Sequence, residues 1–160
     1  MRLTVYTDFS LRVLMFLALK GEELATVAEI ATAYGISKNH LMKVVHQLGL
    51  AGYVETVRGK GGGMRLARRP EDIVIGEVVR HTESETALVP CFSPSNAYCA
   101  ILPSCALRGA LSKAQRAFLS ALNEYTLADL ARPRAPLRKL LSFNSSGKAA
   151  IHTLRSAQRA

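Results

Sequence analysis

The stretch Thr26-Val-Ala-Glu-Ile-Ala-Thr-Ala-Tyr-Gly-Ile-Ser-Lys-Asn-His-Leu-Met-Lys-Val-Val-His-Gln-Leu48 predicts two short helices joined by a tight turn. Thr26 and Glu29 have the spacing of a capping box, which begins the first helix, and Gly35 ends it. Ser37 is a suitable N-cap for the second helix, whose apolar residues share one face: Leu41, Val44, Val45 and Leu48. Two helices joined in this way form the helix-turn-helix pattern.

The other face of the second helix is polar and basic. In a DNA-binding helix-turn-helix, the first residues of the second helix face base edges in the major groove, where Asn and Lys suit adenine and guanine. An ordinary helical hairpin with a solvated polar face is an alternative that the two helices alone leave open. The residues predicted to contact DNA from this helix are Ser37, Lys38, Asn39, His40 and Lys43.

A glycine-rich basic hairpin is predicted directly after these helices. Residues 53–57 alternate and are β-branched, 58–63 form a turn, and 64–67 return as a second strand. Together with the helix-turn-helix this hairpin predicts a winged helix, in which glycines let the backbone approach DNA while Arg58 and Lys60 supply charge. A phosphate-binding loop is a poor alternative because the segment lacks the Walker spacing and a following helix.

Further helices are predicted on both sides of this unit. Helical spacing of apolar residues runs from Thr7 or Asp8 to Lys20, and a shorter helix is expected from Ile75 to about Glu83. A longer helix carries one apolar stripe made of Leu107, Leu111, Ala114, Phe118, Leu122 and Tyr125. We expect this stripe to pack against the same helix of a second subunit, because a small winged helix has little free core to offer.

The end of the chain is predicted to be irregular. Thr126 is expected to cap one short extra turn through Leu130, after which Pro133 and Pro136 should break the chain. The predicted fold is therefore mainly α with a small β-hairpin, a winged helix-turn-helix followed by a long C-terminal dimerisation helix. The expected regions are a DNA-binding domain (1–80), a loop and dimerisation helix (81–143), and a basic disordered tail (144–160).

Charge is distributed unevenly along the 160 residues, whose net charge is +9. Residues 1–70 hold ten Lys and Arg against five Asp and Glu, and residues 132–160 hold seven against none. A basic front and tail favour a polyanion partner, with nucleic acid ahead of a membrane surface. No apolar run reaches the roughly 18 residues that span a bilayer, and the first residues lack the pattern of a signal peptide, so we expect a cytoplasmic protein.

The three cysteines of the chain all lie within 91–105, as Cys91, Cys99 and Cys105. In a reducing compartment, clustered cysteines favour metal ligation or redox sensing over disulfides. Zinc, with His81 or Asp8 as a fourth ligand, and a cluster-free thiol sensor are alternatives that the spacing leaves open. An enzyme is disfavoured, because two of the chain's four histidines, His40 and His46, fall on the predicted DNA helix and no second catalytic group is positioned by the sequence.

Motifs along residues 1–143 together resemble the iron–sulfur winged-helix repressors. These motifs are Tyr6-Thr-Asp-Phe9, Ala28-Glu-Ile30, Gly35-Ile-Ser-Lys-Asn-His-Leu-Met-Lys43, Ala51-Gly-Tyr-Val54, Val57-Arg-Gly-Lys-Gly-Gly-Gly63, the three cysteines and Tyr125-Thr-Leu-Ala-Asp-Leu130. The pair Thr7-Asp8 and residues 37–40 are more similar to the nitric-oxide-sensing branch than to the iron-responsive RirA-like branch. Arg108 stands where IscR-like members have a histidine ligand, which counts against that branch.

The resemblance implies a homodimeric transcriptional repressor that binds promoter DNA, carries one iron–sulfur cluster per subunit and releases DNA after reaction with nitric oxide. Cys91, Cys99 and Cys105 match the thiolate ligands, and Asp8 of the partner subunit is expected at the remaining iron position. The alternative role of Asp8 is to cap the first helix. A [4Fe–4S] cluster is favoured over [2Fe–2S], and an iron-responsive RirA-like regulator, a cluster-assembly IscR-like regulator or a thiol sensor are the alternative functions.

Overall fold

The computed structural model describes residues 2–83, 87–93 and 99–141. Within these ranges the chain is mainly helical with one two-stranded hairpin, which confirms the predicted fold class. The elements are α1 (Val5–Lys20), α2 (Val27–Tyr34), α3 (Lys38–Leu50), β1 (Val54–Val57), β2 (Gly63–Leu66), α4 (Ile75–Thr82), α5 (Ala106–Asn123), α6 (Leu127–Leu130) and α7 (Arg134–Leu140). No helix in the described ranges is both long and apolar enough to cross a membrane.

Helix α1 is the centre of the core and packs against α3, α4, α6, α7 and β2. Its residues Val13, Leu14, Leu17 and Leu19 are fully buried. The helix begins two to three residues before the predicted start, because the Thr4 hydroxyl accepts a hydrogen bond from the Thr7 N–H at 3.2 Å. A side-chain cap of this kind satisfies one of the four backbone donors that every helix start leaves without a partner.

The helix-turn-helix forms as predicted. The capping box is complete, with the Thr26 hydroxyl accepting from the Glu29 N–H and the Glu29 carboxylate accepting from the Thr26 N–H. Gly35 then ends α2 in the left-handed conformation with φ 65°. The four residues predicted for the inner face of α3 are all buried: Leu41, Val44, Val45 and Leu48. Ser37 precedes α3 as expected, although its side chain makes no capping hydrogen bond.

The hairpin pairs antiparallel with Val54 opposite Leu66 and Val57 opposite Gly63. A Cβ atom at Gly62 would lie 2.3 Å from the Val57 carbonyl oxygen, so the turn has no room for a side chain there. Ala25, just before α2, forms a further bridge with Met64 of β2. This bridge attaches the wing to the helix-turn-helix.

The segments around α4 and α6 are joined through the backbone. The Ile75 N–H donates to the Tyr125 carbonyl at 2.9 Å, and the Leu127 N–H donates to the Ile73 carbonyl at 2.8 Å. Thr126 and Asp129 form a second capping box, which confirms the predicted short helix through Leu130. The end of α5 is thereby held beside the start of α4.

The predicted break holds at Pro133, which lies between α6 and α7, but is wrong at Pro136, because α7 begins at Arg134 and continues through it. Pro136 lies in the first turn, where a backbone N–H has no partner within the helix and its absence is tolerated. Arg134 and Arg138 donate to the carbonyl oxygens of Ala18 and Leu19, which are at the C-terminal end of α1. The prediction for residues 144–160 falls outside the described residues.

Candidate DNA interface and cysteine site

The polar face predicted on α3 is exposed. The five residues predicted to contact DNA from this helix are all open to solvent: Ser37, Lys38, Asn39, His40 and Lys43. Arg58 and Lys60 are exposed on the hairpin turn, where Gly59 and Gly61 have φ of 105° and 80°. Such φ values are strained for residues with a Cβ, so this turn depends on glycine.

The Lys and Arg residues of α3, the hairpin and the segment that follows it fall into two groups. Arg65 pairs with Glu55, Arg69 pairs with Asp72, and the Arg68 guanidinium lies 4.9 Å from the centroid of the Tyr53 ring. Among the described residues, no ion pair involves the second group, which consists of Lys38, Lys43, Arg58 and Lys60. The cations that the sequence assigned to DNA are thus without an acidic partner in the described chain, although Arg2, Arg68 and Arg80 also lack one.

His40 also has a contact that the sequence did not predict. Its imidazole lies against the ring of Phe9 in α1, with the two centroids 6.3 Å apart and the planes tilted by 36°. Phe9 is half-buried and packs against the core. The helix spacing gave no signal for this pair, because the residues are far apart in sequence and belong to different helices.

Asp8 lies on the first turn of α1 and does not cap the helix, since Thr4 does. The Asp8 carboxylate instead pairs with Arg12 at 2.9 Å, and the side chains of Asp8 and Arg12 remain 48% and 43% exposed. The Arg12 guanidinium lies 5.7 Å from the centroid of the Tyr34 ring at the end of α2. Burial raises the pKa of Tyr34 to about 12, against the lowering effect of Arg12.

A buried polar cluster joins the start of α1 to the end of α4. Thr7 is fully buried, and its hydroxyl, with one proton to donate, lies within hydrogen-bond distance of both the Thr82 hydroxyl, at 2.9 Å, and the Glu83 carboxylate. The Thr4 N–H and hydroxyl donate to the same Glu83 oxygen at 2.8 and 3.1 Å. Desolvation raises the pKa of Glu83, but these hydrogen bonds outweigh it and leave the pKa below its usual value. The residue that begins the segment leading to the cysteines is therefore tied to the helix start that carries Asp8.

The three cysteines are free thiols at different exposures. Cys91 lies in a single turn of 3₁₀ helix and is half-buried, whereas Cys99 is exposed. Cys105 is half-buried at the N-cap of α5, where its sulfur accepts from the Arg108 N–H at 3.4 Å. Within the described ranges, no three His, Cys, Asp or Glu side chains lie close enough together to hold a metal ion. Cys91, Cys99 and Cys105 all lie in the described ranges and are not brought together there, so the predicted ligand set stays a prediction.

The chemistry of this donor set fits an iron–sulfur cluster. Thiolate sulfur is the usual protein donor to such iron, and all the thiols of the chain fall in the one segment between α4 and α5. An open cavity of about 500 Å³ adjoins this segment, lined by Phe92, Arg108, Ser112 and Arg116 among others. The Arg108 guanidinium lies 5.9 Å from the centroid of the Phe92 ring, next to Cys91.

The apolar stripe of α5 is divided between two environments. Leu122 packs against the core of its own chain, as does the neighbouring Leu119. Leu107 is 67% exposed, and Tyr125, which was predicted to lie on the same stripe, is 51% exposed and lies beyond the end of α5. In the described chain, no residue of α5 is fully buried.

Comparison with known proteins gives consistent matches over most of the chain. The family described as "Rrf2: Iron-dependent Transcriptional regulator" matches residues 3–133. The HTH-type transcriptional regulator NsrR of Bacillus licheniformis is 53% identical over 143 residues, which are 89% of this chain and 100% of that protein. NsrR of Geobacillus kaustophilus is 54% identical over 142 residues, 88% of this chain and 97% of that protein. The solved structure of T. potens IscR has a similar fold, with a TM-score of 0.68, 23% identity, and coverage of 92% of this chain and 94% of that one.

Proposed function

This chain belongs to the Rrf2 family of iron-dependent transcriptional regulators and is of the NsrR type, and we propose that it is a homodimeric repressor that senses nitric oxide through an iron–sulfur cluster and then releases promoter DNA. The observation that carries the proposal is the position of the thiols. All three lie between α4 and α5, in a segment that Glu83 ties to the start of α1 beside Asp8. The relatives are named as regulators, in agreement with the prediction that this protein is not an enzyme.

Cys91, Cys99 and Cys105 would hold one cluster per subunit, [4Fe–4S] in preference to [2Fe–2S]. When bound, the cluster supplies iron that reacts with nitric oxide. Three thiolates leave one iron position of a [4Fe–4S] cluster for another donor, and we assign it to Asp8 of the partner subunit. Asp8 suits this role because its carboxylate is about half exposed and is held by a single ion pair.

The DNA surface would consist of α3 and the hairpin turn. Asn39 and His40, with Ser37 and Lys38, would face base edges in the major groove, while Lys43, Arg58 and Lys60 contact phosphates. In a dimer, two such helices enter successive major grooves of a near-palindromic site. The absence of ion pairs at Lys38, Lys43, Arg58 and Lys60 within the described chain supports this assignment.

The dimer would form along α5. Leu107 is exposed and Leu111 and Phe118 are only partly buried in the described chain, and helices of this kind gain stability by packing on a second apolar stripe. The division into a DNA-binding region (1–80), a cluster and dimer region (81–143) and a basic tail (144–160) remains part of this proposal, as does the cytoplasmic location.

The proposal is tested on protein purified without oxygen. We expect visible absorbance, iron, sulfide and operator-specific binding to be lost together in Cys91→Ala, Cys99→Ala and Cys105→Ala, because two thiolates are too few to hold the cluster. Ser104→Ala, next to Cys105, is the matched control and should keep the visible absorbance, the iron, the sulfide and the operator-specific binding. Graded nitric oxide should change the Mössbauer spectrum and release the operator over the same range of added gas.

Three outcomes would contradict the proposal. Full cluster content in any single cysteine variant would reject the site. Protein that lacks iron but loses DNA on treatment with an oxidant would favour the thiol sensor. Release of DNA on iron depletion, with no response to nitric oxide, would favour an iron-responsive RirA-like or IscR-like regulator.

A further inference from the structure

Helix α5 joins the core of its own chain near its C-terminal end. Directly after α5, the Tyr125 carbonyl accepts a hydrogen bond from the Ile75 N–H at 2.9 Å, and Thr126 forms a backbone bridge with Val74. The first turn of the helix is different, because Leu107 there is mostly exposed. The apolar residues of α5 that pack against the core of the described chain both lie in its last two turns: Leu119 and Leu122.

A side-chain contact fixes the direction of α5 at this end. Asn123 is the last residue of α5, and its side-chain oxygen accepts a hydrogen bond from the Arg80 guanidinium of α4 at 3.1 Å. Gly76 is buried in the first turn of α4, and a Cβ atom there would lie 2.1 Å from the same Asn123 oxygen. A larger residue at position 76 would therefore displace the Asn123 amide. We refer to Gly76, Arg80 and Asn123 as the α4–α5 joint.

Helix α4 is firmly attached to the DNA-binding region. Its inner residues Ile75, Val78 and Val79 are buried. It packs on α1, and α1 packs in turn on α3. Because protein interiors are close-packed, a displacement of α4 is passed on to the helices beside it instead of being absorbed between them. The direction of α5 relative to α3 thus depends on the α4–α5 joint.

The length of α5 magnifies small changes at the joint. At 1.5 Å per residue, its 18 residues extend about 27 Å. A tilt of about 10° at one end of such a helix moves the other end by about 5 Å, which is more than the rise of one base pair, about 3.4 Å. In a dimer that packs along α5, a tilt of this size would change the distance between the two copies of α3.

We propose that the α4–α5 joint determines the half-site spacing of the operator, with Arg80 and Asn123 as positioning residues and Gly76 as the residue that leaves room for the Asn123 amide. This inference rests on the proposed function, because it requires a dimer along α5 and α3 on DNA. The dimer interface orients one α5 against the other, and the joint orients each α5 against its own α3. Together they determine the distance between the two α3 helices, which a two-fold operator must match.

The test uses the full-length, cluster-loaded protein and a set of operators in which one or two central base pairs are inserted or deleted. Wild type should prefer one spacing. In Asn123→Ala, the affinity ratio between the best spacing and its neighbours should fall about threefold to tenfold, because the tilt of α5 is no longer fixed. Asn123→Asp keeps the shape and an acceptor oxygen for Arg80, and should retain the preference. Ser120→Ala, at an exposed position one turn earlier, is the matched control.

The same contact is then disrupted from α4. Gly76→Ala should reproduce the effect of Asn123→Ala on the spacing preference, although alanine has the higher helix propensity, because its methyl group displaces the Asn123 amide. The double variant should be no worse than either single variant, since both substitutions remove one contact. Arg80→Gln, at an exposed residue, disrupts the joint a second way and decides the question if Gly76→Ala fails to fold.

Two further measurements separate spacing from folding and assembly. The affinity of each variant for a single half-site and its oligomeric state in analytical ultracentrifugation should both equal those of wild type. A spacing preference that survives Asn123→Ala and the disruption from α4 would overturn the inference. So would an equal loss of affinity at every spacing, because a general loss of stability has that effect. A monomeric wild type would contradict the proposed dimer and the inference with it, whereas a wild-type dimer whose spacing preference ignores the joint would overturn the inference alone.

Discussion

Two helices of similar length, α1 and α5, show how differently the two parts of this chain are stabilised. Helix α1 has 16 residues and buries eight of them, whereas α5 has 18 residues and buries none in the described chain. Both carry apolar residues at helical spacing. The difference is that five other elements surround α1, while α5 has a neighbour on only part of its surface.

The comparison indicates that the winged half, which is residues 1–80 together with the α6 and α7 that pack on α1, is complete within one chain. The cysteine half, which is the segment between α4 and α5 together with α5 itself, is not. Burial of apolar area is the main stabilising contribution to folding, and in the winged half the chain supplies both sides of each contact. In the cysteine half, Leu107 and Ile101 are mostly exposed and the three thiols have no common partner among the described residues. We therefore expect substitutions in the first half to affect folding and those in the second to affect assembly.

The largest effect should come from the centre of α1. Leu17→Ala removes a fully buried side chain, and we expect a loss of about 2–5 kcal/mol in the free energy of unfolding, from lost burial and the cavity left behind. Denaturant unfolding followed by circular dichroism measures this loss. Leu50→Ala, at a leucine that is 71% exposed, is the matched control and should change little. Equal losses at both positions would remove the distinction between core and surface.

The next effect concerns the apolar stripe of α5. Phe118→Glu or Leu111→Glu should yield monomers, because an unpaired carboxylate in a helix–helix seam costs several kcal/mol, on the order of the stability of a modest dimer. Analytical ultracentrifugation reads the oligomeric state, and Leu50→Glu controls for an added charge on an exposed leucine. A variant that remains dimeric and still binds an operator with two half-sites would show that the dimer interface is not formed by the α5 stripe.

A smaller effect is expected at the start of α2. Thr26→Ala removes the side-chain acceptor for the Glu29 N–H and the hydroxyl donor to the Glu29 carboxylate, and should cost about 1 kcal/mol. The same substitution at Thr126 removes the capping box of the four-residue α6. If the two halves differ as we infer, Thr26→Ala should lower the folding stability without changing dimerisation. A change of oligomeric state in Thr26→Ala would contradict the inference that the winged half determines folding and the cysteine half determines dimerisation.

The smallest effect is a pH dependence at Glu83, whose folded-state pKa lies below its ordinary value. A carboxylate of this kind adds stability that is present above the unfolded pKa of about 4.3 and is lost as the pH falls through the lower, folded pKa. The free energy of unfolding of the wild type should therefore exceed that of Glu83→Gln by about 1 kcal/mol at neutral pH. This difference should disappear in the acid range. Glu77→Gln, on the exposed side of α4, is the control. A difference in the free energy of unfolding that is independent of pH would mean that the charge of Glu83 does not contribute to stability.

The elements predicted with least error are those whose signals are local. The capping box at Thr26 and Glu29, the glycine after Tyr34 and the inner face of α3 depend on residues within one helix, and all three are confirmed. The start of α1 was misplaced, because Asp8 and Thr4 are both suitable caps and the choice depends on Glu83, which is distant in sequence. Helix α7 was missed because its arginines bind carbonyl groups at the end of α1.

For the candidate site, the sequence by itself determined the kinds of donors and charges that are present. Three clustered thiols and a basic polar helix face follow from residue type and spacing, and no fold is needed to read them. Tertiary structure alone decided which residues meet. The contact of Phe9 with His40 and the cluster of Thr4, Thr7 and Glu83 join helices that are distant in sequence. Periodicity within one helix specifies which face is buried, whereas the identity of the residue opposite depends on how the helices cross.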